Sequence, residues 1–195
     1  MRKKSHISLA SYLLHSDGME ILLAHKKAFY WGNLLPDCVP SFLTRRHSID
    51  ETFPHLQKEL QLLVEDYNYN KGITGYFCRH LGIVLHYVAD YFTFPHNSFY
   101  PGNMREHCKY EKEMKFCMRA YVKSDEAKRR RNAASACNTV DEICQYIKDM
   151  HRQYAKEDHN VQLDCEYIAL LCHRIADFIL SVFEKHTCYR LVAIP

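Results

Sequence analysis

The sequence predicts an all-α protein, a multi-helix bundle, and three observations carry that expectation. No stretch alternates apolar and polar residues with period two for long enough to build a sheet. Apolar residues recur instead at spacings of three and four. Most of the 6 Gly and 6 Pro gather at 32–40, at 72–75 with 82, and at 95–102, which leaves long stretches for about six to eight helices. With 195 residues, no internal repeat and no composition break, the chain reads as a single domain over 1–195.

Residues 5–15 and 18–30 carry helical apolar positions (Ile7, Leu9, Leu13, Leu14; Ile21, Leu22, Phe29), separated by a Ser16-Asp17-Gly18 turn. The string "YWGNLLPDCVPSF" reads as a loop, because proline pushes the residue before it out of helical geometry and both Pro36 and Pro40 are present. A helix should then start at Ser48, with Glu51 completing a capping box and His47 just outside. Residues 73–93 read as a largely buried helix through Ile73, Phe77, Leu81, Val84, Leu85, Val88 and Phe92, ended by Pro95. The next helix spans Met104 to Val122. Thr139 and Glu142 repeat the capping box ahead of another, and a last long helix runs from about Val161 to Lys185.

Composition excludes several functions. A net charge of +3 is too small to imply a nucleic-acid partner, and the basic run Lys128-Arg129-Arg130-Arg131 reads as a solvated helix end. The 9 cysteines form no CxxC pair, and Cys144, Cys165 and Cys172 fall at core spacing, so a reducing cytoplasm fits better than a disulfide framework. Arg2-Lys3-Lys4 ahead of Ile7–Leu14 has the outline of a signal peptide. The apolar part is short, broken by serines and without a small-residue cleavage site, so it is expected to be the first helix of a mature protein. No run reaches the length of a membrane span.

The chemistry concentrates in "LHYVADYFTFPHNSFYPGNMREHCKYE", residues 85–111, which holds His86, Asp90, His96, His107 and Glu111. On a helix, residues i and i+4 point the same way, so each His-x3-acid pair can aim two ligands at one place. Composition alone produces about one or two such pairs, whereas five occur: His47 with Glu51, His55 with Glu59, His86 with Asp90, His107 with Glu111, and His173 with Asp177. His55 with Glu59 and His173 with Asp177 read as ordinary surface pairs, and His15, His25 and His80 as surface or hydrogen-bonded histidines. His86 with Asp90 differs because it interrupts the most apolar helix, where a buried imidazole and carboxylate must be paired, hydrogen-bonded or metallated. Histidines and acids without cysteine form the nitrogen and oxygen donor set of catalytic zinc.

"LHYVADYFTFPH" (His-x3-Asp-x5-His) followed by "HCKYE" (His-x3-Glu) resembles the core of the bacterial zinc-dependent phospholipase C family, of the all-α superfamily that includes the single-strand-specific P1-type nucleases. "SHISLASYLL" resembles the N-terminal ligand histidine of that family. "WGNLLPDCVPSFLTRRHS" resembles its Gly-x-x-x-Pro-Asp segment with a later histidine, and the likeness runs in order over residues 5–112.

The resemblance implies two to three Zn2+ ions at the base of a cleft. Asp90 would bridge two of them, with Asp37, His47 and His86 completing one, His96, His107 and Glu111 another, and His6 serving a third. His47 and His55 both remain candidates for the histidine after Asp37, with His47 preferred for its loop position. A hydroxide shared between metals would attack phosphorus, with Asp37 doubling as general base. The expected activity is hydrolysis of a phospholipid head-group diester or another phosphodiester, with peripheral membrane contact and no stable nucleic-acid partner. Two other uses suit the same residues: a metal-stabilised scaffold without turnover, and a nucleotide or nucleic-acid phosphodiesterase in which Trp31, Phe92, Phe94, Phe99 or Tyr100 stack bases.

Overall fold

The structure, a computed structural model, describes residues 1–38, 46–130, 137 and 139–192, with side chains omitted at 128–130 and 188–192. Among them are eight α-helices and no strand: α1 (Lys3–Leu14), α2 (Lys26–Leu34), α3 (Ile49–Val64), α4 (Gly75–Tyr91), α5 (Met104–Tyr121), α6 (Asp125–Arg130), α7 (Val140–Tyr154) and α8 (Val161–Val192). The side chains of the basic run 128–131, and residues 39–42 of the loop read at 30–42, lie outside the described residues. No described helix is long and apolar enough to cross a membrane.

Helix α4 is the axis of the bundle. Thr74 opens it by accepting the Phe77 N–H on its side chain, and from Phe77 to Tyr91 most of its residues are buried. Helices α2, α3 and α8 pack around it. Each fully buried Leu, Val or Phe on such a helix contributes about 1.5–3 kcal/mol, so α4 supplies a rigid rod on which ligands can be mounted. Its closest neighbour is α2, because glycines meet at the crossing. A Cβ on Gly32 would come within 2.0 Å of the Arg79 carbonyl oxygen, and one on Gly82 within 2.6 Å of the Phe29 carbonyl oxygen.

The last helix runs to Val192 and not to about Lys185, and three other details differ from expectation. Residues 20–25 form a 3-10 helix, so the second α-helix begins only at Lys26. The expected loop at 30–37 is helical to Leu34 and continues as a 3-10 turn, Leu35–Asp37; Leu35 keeps helical dihedrals (φ −56°, ψ −44°) although it precedes Pro36. Packing of Gly32 and Asn33 on α4 overrides the local preference. Ser48 does occupy the N-cap of α3, but its side chain caps nothing, and Glu51 instead accepts the backbone N–H of Arg46. The box at Thr139 and Glu142 is complete, and Asn103 with Glu106 forms another at the start of α5.

The C-terminal helices close the core. Ile143, Cys144 and Ile147 of α7, and Cys165, Ile168, Leu171, Cys172 and Ile175 of α8, are buried together with Met114 and Met118 of α5. The eight described cysteines are unbridged.

Candidate metal centre

The two halves of the site are mounted differently. His86 and Asp90 project from the buried last turns of α4. Asp37 ends the 3-10 turn after α2, and His47 stands immediately before Ser48, the N-cap of α3. His96 ends a second 3-10 turn, Phe94–His96, in which Pro95 takes an early position where a missing N–H costs nothing. His107 and Glu111 lie one turn apart on α5.

Asp37, His47, His86 and Asp90 offer ligand atoms that all lie within 4.8 Å of one another, and so do those of His96, His107 and Glu111. In the first group His47 Nδ1 is 2.9 Å from Asp90 Oδ2 and 3.1 Å from His86 Nε2, which is itself 3.3 Å from Asp90 Oδ2. Asp37 Oδ1 stands 3.8 Å from His47 Nδ1 and 3.9 Å from His86 Nε2. The tautomer of His86 follows from its far side. Its Nδ1 is 2.9 Å from the Asn33 carbonyl oxygen, which can only accept, so Nδ1 carries the proton and neutral His86 presents a bare Nε2 to the group.

In the second group Glu111 Oε1 is 3.3 Å from His96 Nε2 and 3.4 Å from His107 Nε2. Asp90 connects the two groups, with His96 Nδ1 3.6 Å from its Oδ2. His6 approaches Asp90 from the other side, its Nε2 3.4 Å from Oδ1, and its ring stacks on His86 with centroids 4.0 Å apart. His55 belongs to neither group.

A further participant is a backbone group. The Met1 amino group donates to Asp90 Oδ1 at 2.6 Å and lies 2.8 Å from His96 Nε2 and 3.3 Å from Glu111 Oε1. Burial works against its charge, but the Asp90 and Glu111 carboxylates outweigh it and raise its pKa. Burial likewise opposes charge on Asp90, yet the amine and the His96, His86 and His6 rings hold the carboxyl well below the usual range. Glu111 is lowered too: burial is overcome by hydrogen bonds from His107 and His96 and by the amine. Burial, with His86 alongside, pushes His6 down to about 3. His96 is lowered by burial and the amine, whereas at His47 the hydrogen bond and charge of Asp90 overcome burial and raise the pKa.

These residues fit a metal. Both ring nitrogens of His6 are buried and neither makes a well-formed hydrogen bond, Nε2 having only the 3.4 Å approach to Asp90, a costly state that a coordinated cation relieves. The donor set is imidazole and carboxylate, as zinc in an open site requires. A cleft of about 470 Å³ borders both groups, lined by His47, His96 and His107 together with Asn97, Tyr100 and Met104. Of the other aromatics, Phe92 is buried in the core, Phe94 and Phe99 pack against each other, and Trp31 is half-exposed on α2. His173, expected at the surface, is buried, with Nε2 3.2 Å from Ser16 Oγ and Tyr12 edge-on to its ring, because α8 turns that face toward α1.

Fold and donor geometry together are those of an all-α protein with a candidate metal centre, consistent with the phospholipase C and P1 nuclease type. A family model for zinc-dependent phospholipase C matches residues 5–161, and the chain belongs to that family. No curated protein and no solved structure matches it.

Proposed function

We propose that this protein is a zinc-dependent phosphodiester hydrolase acting in the manner of a phospholipase C, folded as one domain over 1–195. The observation that carries this is the convergence of two donor groups on one buried carboxylate, Asp90, beside an open cleft. Asp37, His47 and His86 with Asp90 would hold one ion, His96, His107 and Glu111 with Asp90 a second, and His6 would serve a third. Zinc, when bound, supplies Lewis-acid stabilisation of the phosphoryl oxygens and lowers the pKa of water to about 7.

The chain's own groups do the rest. Asp37 is the more exposed carboxylate of its group, at 20% against 0% for Asp90, so it can take a proton from attacking water as general base. Asp90 is buried and held ionised, which suits a fixed ligand and not a proton carrier. The Asn33 carbonyl keeps the His86 ring oriented. Met104, 74% exposed at the cleft rim, supports peripheral contact with a lipid surface while a head-group diester enters below it. The described cysteines are unbridged and four of the eight are buried, which supports a reducing compartment.

The test is metal content by mass spectrometry together with hydrolysis of phosphatidylcholine and bis-p-nitrophenyl phosphate. Two or three zinc ions per chain are expected, with turnover falling about 10²–10⁴-fold in Asp37→Asn. Absence of metal after zinc loading would end the proposal. Bound zinc without turnover of either diester would leave a metal-stabilised scaffold.

A further inference from the structure

We infer that Asp164 of α8 is a positioning residue for the second donor group, fixing His96 against His107 and Glu111. This rests on zinc ligation by those three residues as proposed above. His96 comes from a turn and the other two from a helix, so their donor atoms meet only if the turn and α5 keep a fixed spacing.

One carboxylate spans that spacing. Asp164 Oδ2 accepts the Phe94 N–H at 2.9 Å and the Tyr110 O–H at 2.9 Å, while Oδ1 accepts the Tyr154 O–H at 2.6 Å. Phe94 begins the turn that His96 ends, and Tyr110 follows His107 by three residues and adjoins Glu111. Oδ2 therefore ties the carrier of His96 to the carrier of His107 and Glu111.

Ordinary packing does not call for this group. Asp164 is fully buried, where a carboxyl group is costly unless hydrogen-bonded. Nor is it the cap of α8, since Asn160 accepts the Leu163 N–H on its side chain. All three partners donate, and the two oxygens of the carboxyl group receive all three bonds. Burial pushes the carboxyl up to about 7 against the pull of those donors. The far end of the turn is held independently: His151 of α7 lies 2.7 Å from Asn97 Oδ1, and Asn97 donates to the Tyr91 and Thr93 carbonyls.

The test is zinc titration against a competing chelator in the full chain for wild type, Asp164→Ala and Tyr110→Phe, with His107→Ala marking the step that belongs to the second group. Alanine removes both acceptor oxygens, and with them the tie between Phe94 and Tyr110. Asp164→Ala should weaken the marked step about 10–100-fold and leave the other unchanged, and Tyr110→Phe should weaken the same step by a smaller factor. Equal weakening of both steps, or of neither, in folded Asp164→Ala would overturn the positioning role. Should Asp164→Ala fail to fold, an unchanged titration in Tyr110→Phe overturns it. A wild type in which His107→Ala removes no step refutes zinc ligation by the group itself, a result distinct from two intact steps in the variants.

Discussion

His86 and His107 each precede a carboxylate by four residues, yet they stand in opposite surroundings. His86 is fully buried, stacked on His6 and bonded to the Asn33 carbonyl, whereas His107 is 25% exposed on the cleft. Removing His86 strands a buried carbonyl, at a cost of about 1–3 kcal/mol, while trimming an exposed His107 changes metal-free stability within about 0.5 kcal/mol. Both variants to Ala should lose bound zinc, but only His86→Ala should lower the melting temperature of chelator-treated protein. Equal melting temperatures for the two would contradict the burial argument. The special standing of His86 and Asp90 was legible in the sequence because they interrupt an apolar helix. That His173 is also buried was not, since its surroundings come from α1, far away along the chain.

At the scale of elements, the crossing of α2 on α4 aligns the first donor group. Gly32 lets the helices approach, and the next residue, Asn33, then delivers its carbonyl to His86. A methyl group at 32 meets backbone, which cannot swing aside, so Gly32→Ala should cost about 1–3 kcal/mol or more and weaken zinc binding with it. Gly75→Ala is the control. Its Cβ would find ordinary contacts at 3.7 Å, and Ala gains up to about 1 kcal/mol over Gly in a helix. Denaturant midpoints and zinc titration on both variants check this; a neutral Gly32→Ala would remove the crossing from the account of the site. The sequence showed Gly32 only as part of a loop, because local glycine and proline signals are silent about a partner helix. Capping signals divided similarly. Thr139 with Glu142 closed as read, Glu51 turned to Arg46, and Asn103 with Glu106 formed a box that the same pattern would have disclosed.

Across the whole molecule, the second donor group stands outside the apolar core, whereas the first is built into it through His86 and Asp90. The buried residues of α5 are Met114, Met118 and Tyr121, all beyond Glu111, so the half carrying His107 and Glu111 is held by ion pairs, by Tyr110 on Asp164 and by whatever metal binds. Helices α4 and α8 are instead held by the continuous core. Local stability tracks buried apolar contact, so removal of a cation should release that half of α5 without opening the core. Chelation is therefore expected to accelerate amide hydrogen exchange at least about 10-fold in residues 94–97 and 104–111 while the central turns of α4 and the 165–180 stretch of α8 stay protected. Exchange measured by mass spectrometry with and without zinc decides it. Acceleration shared equally by α4 and α8 would mean that the metals stabilise the fold as one cooperative unit, and no acceleration anywhere would mean that the polar ties alone suffice.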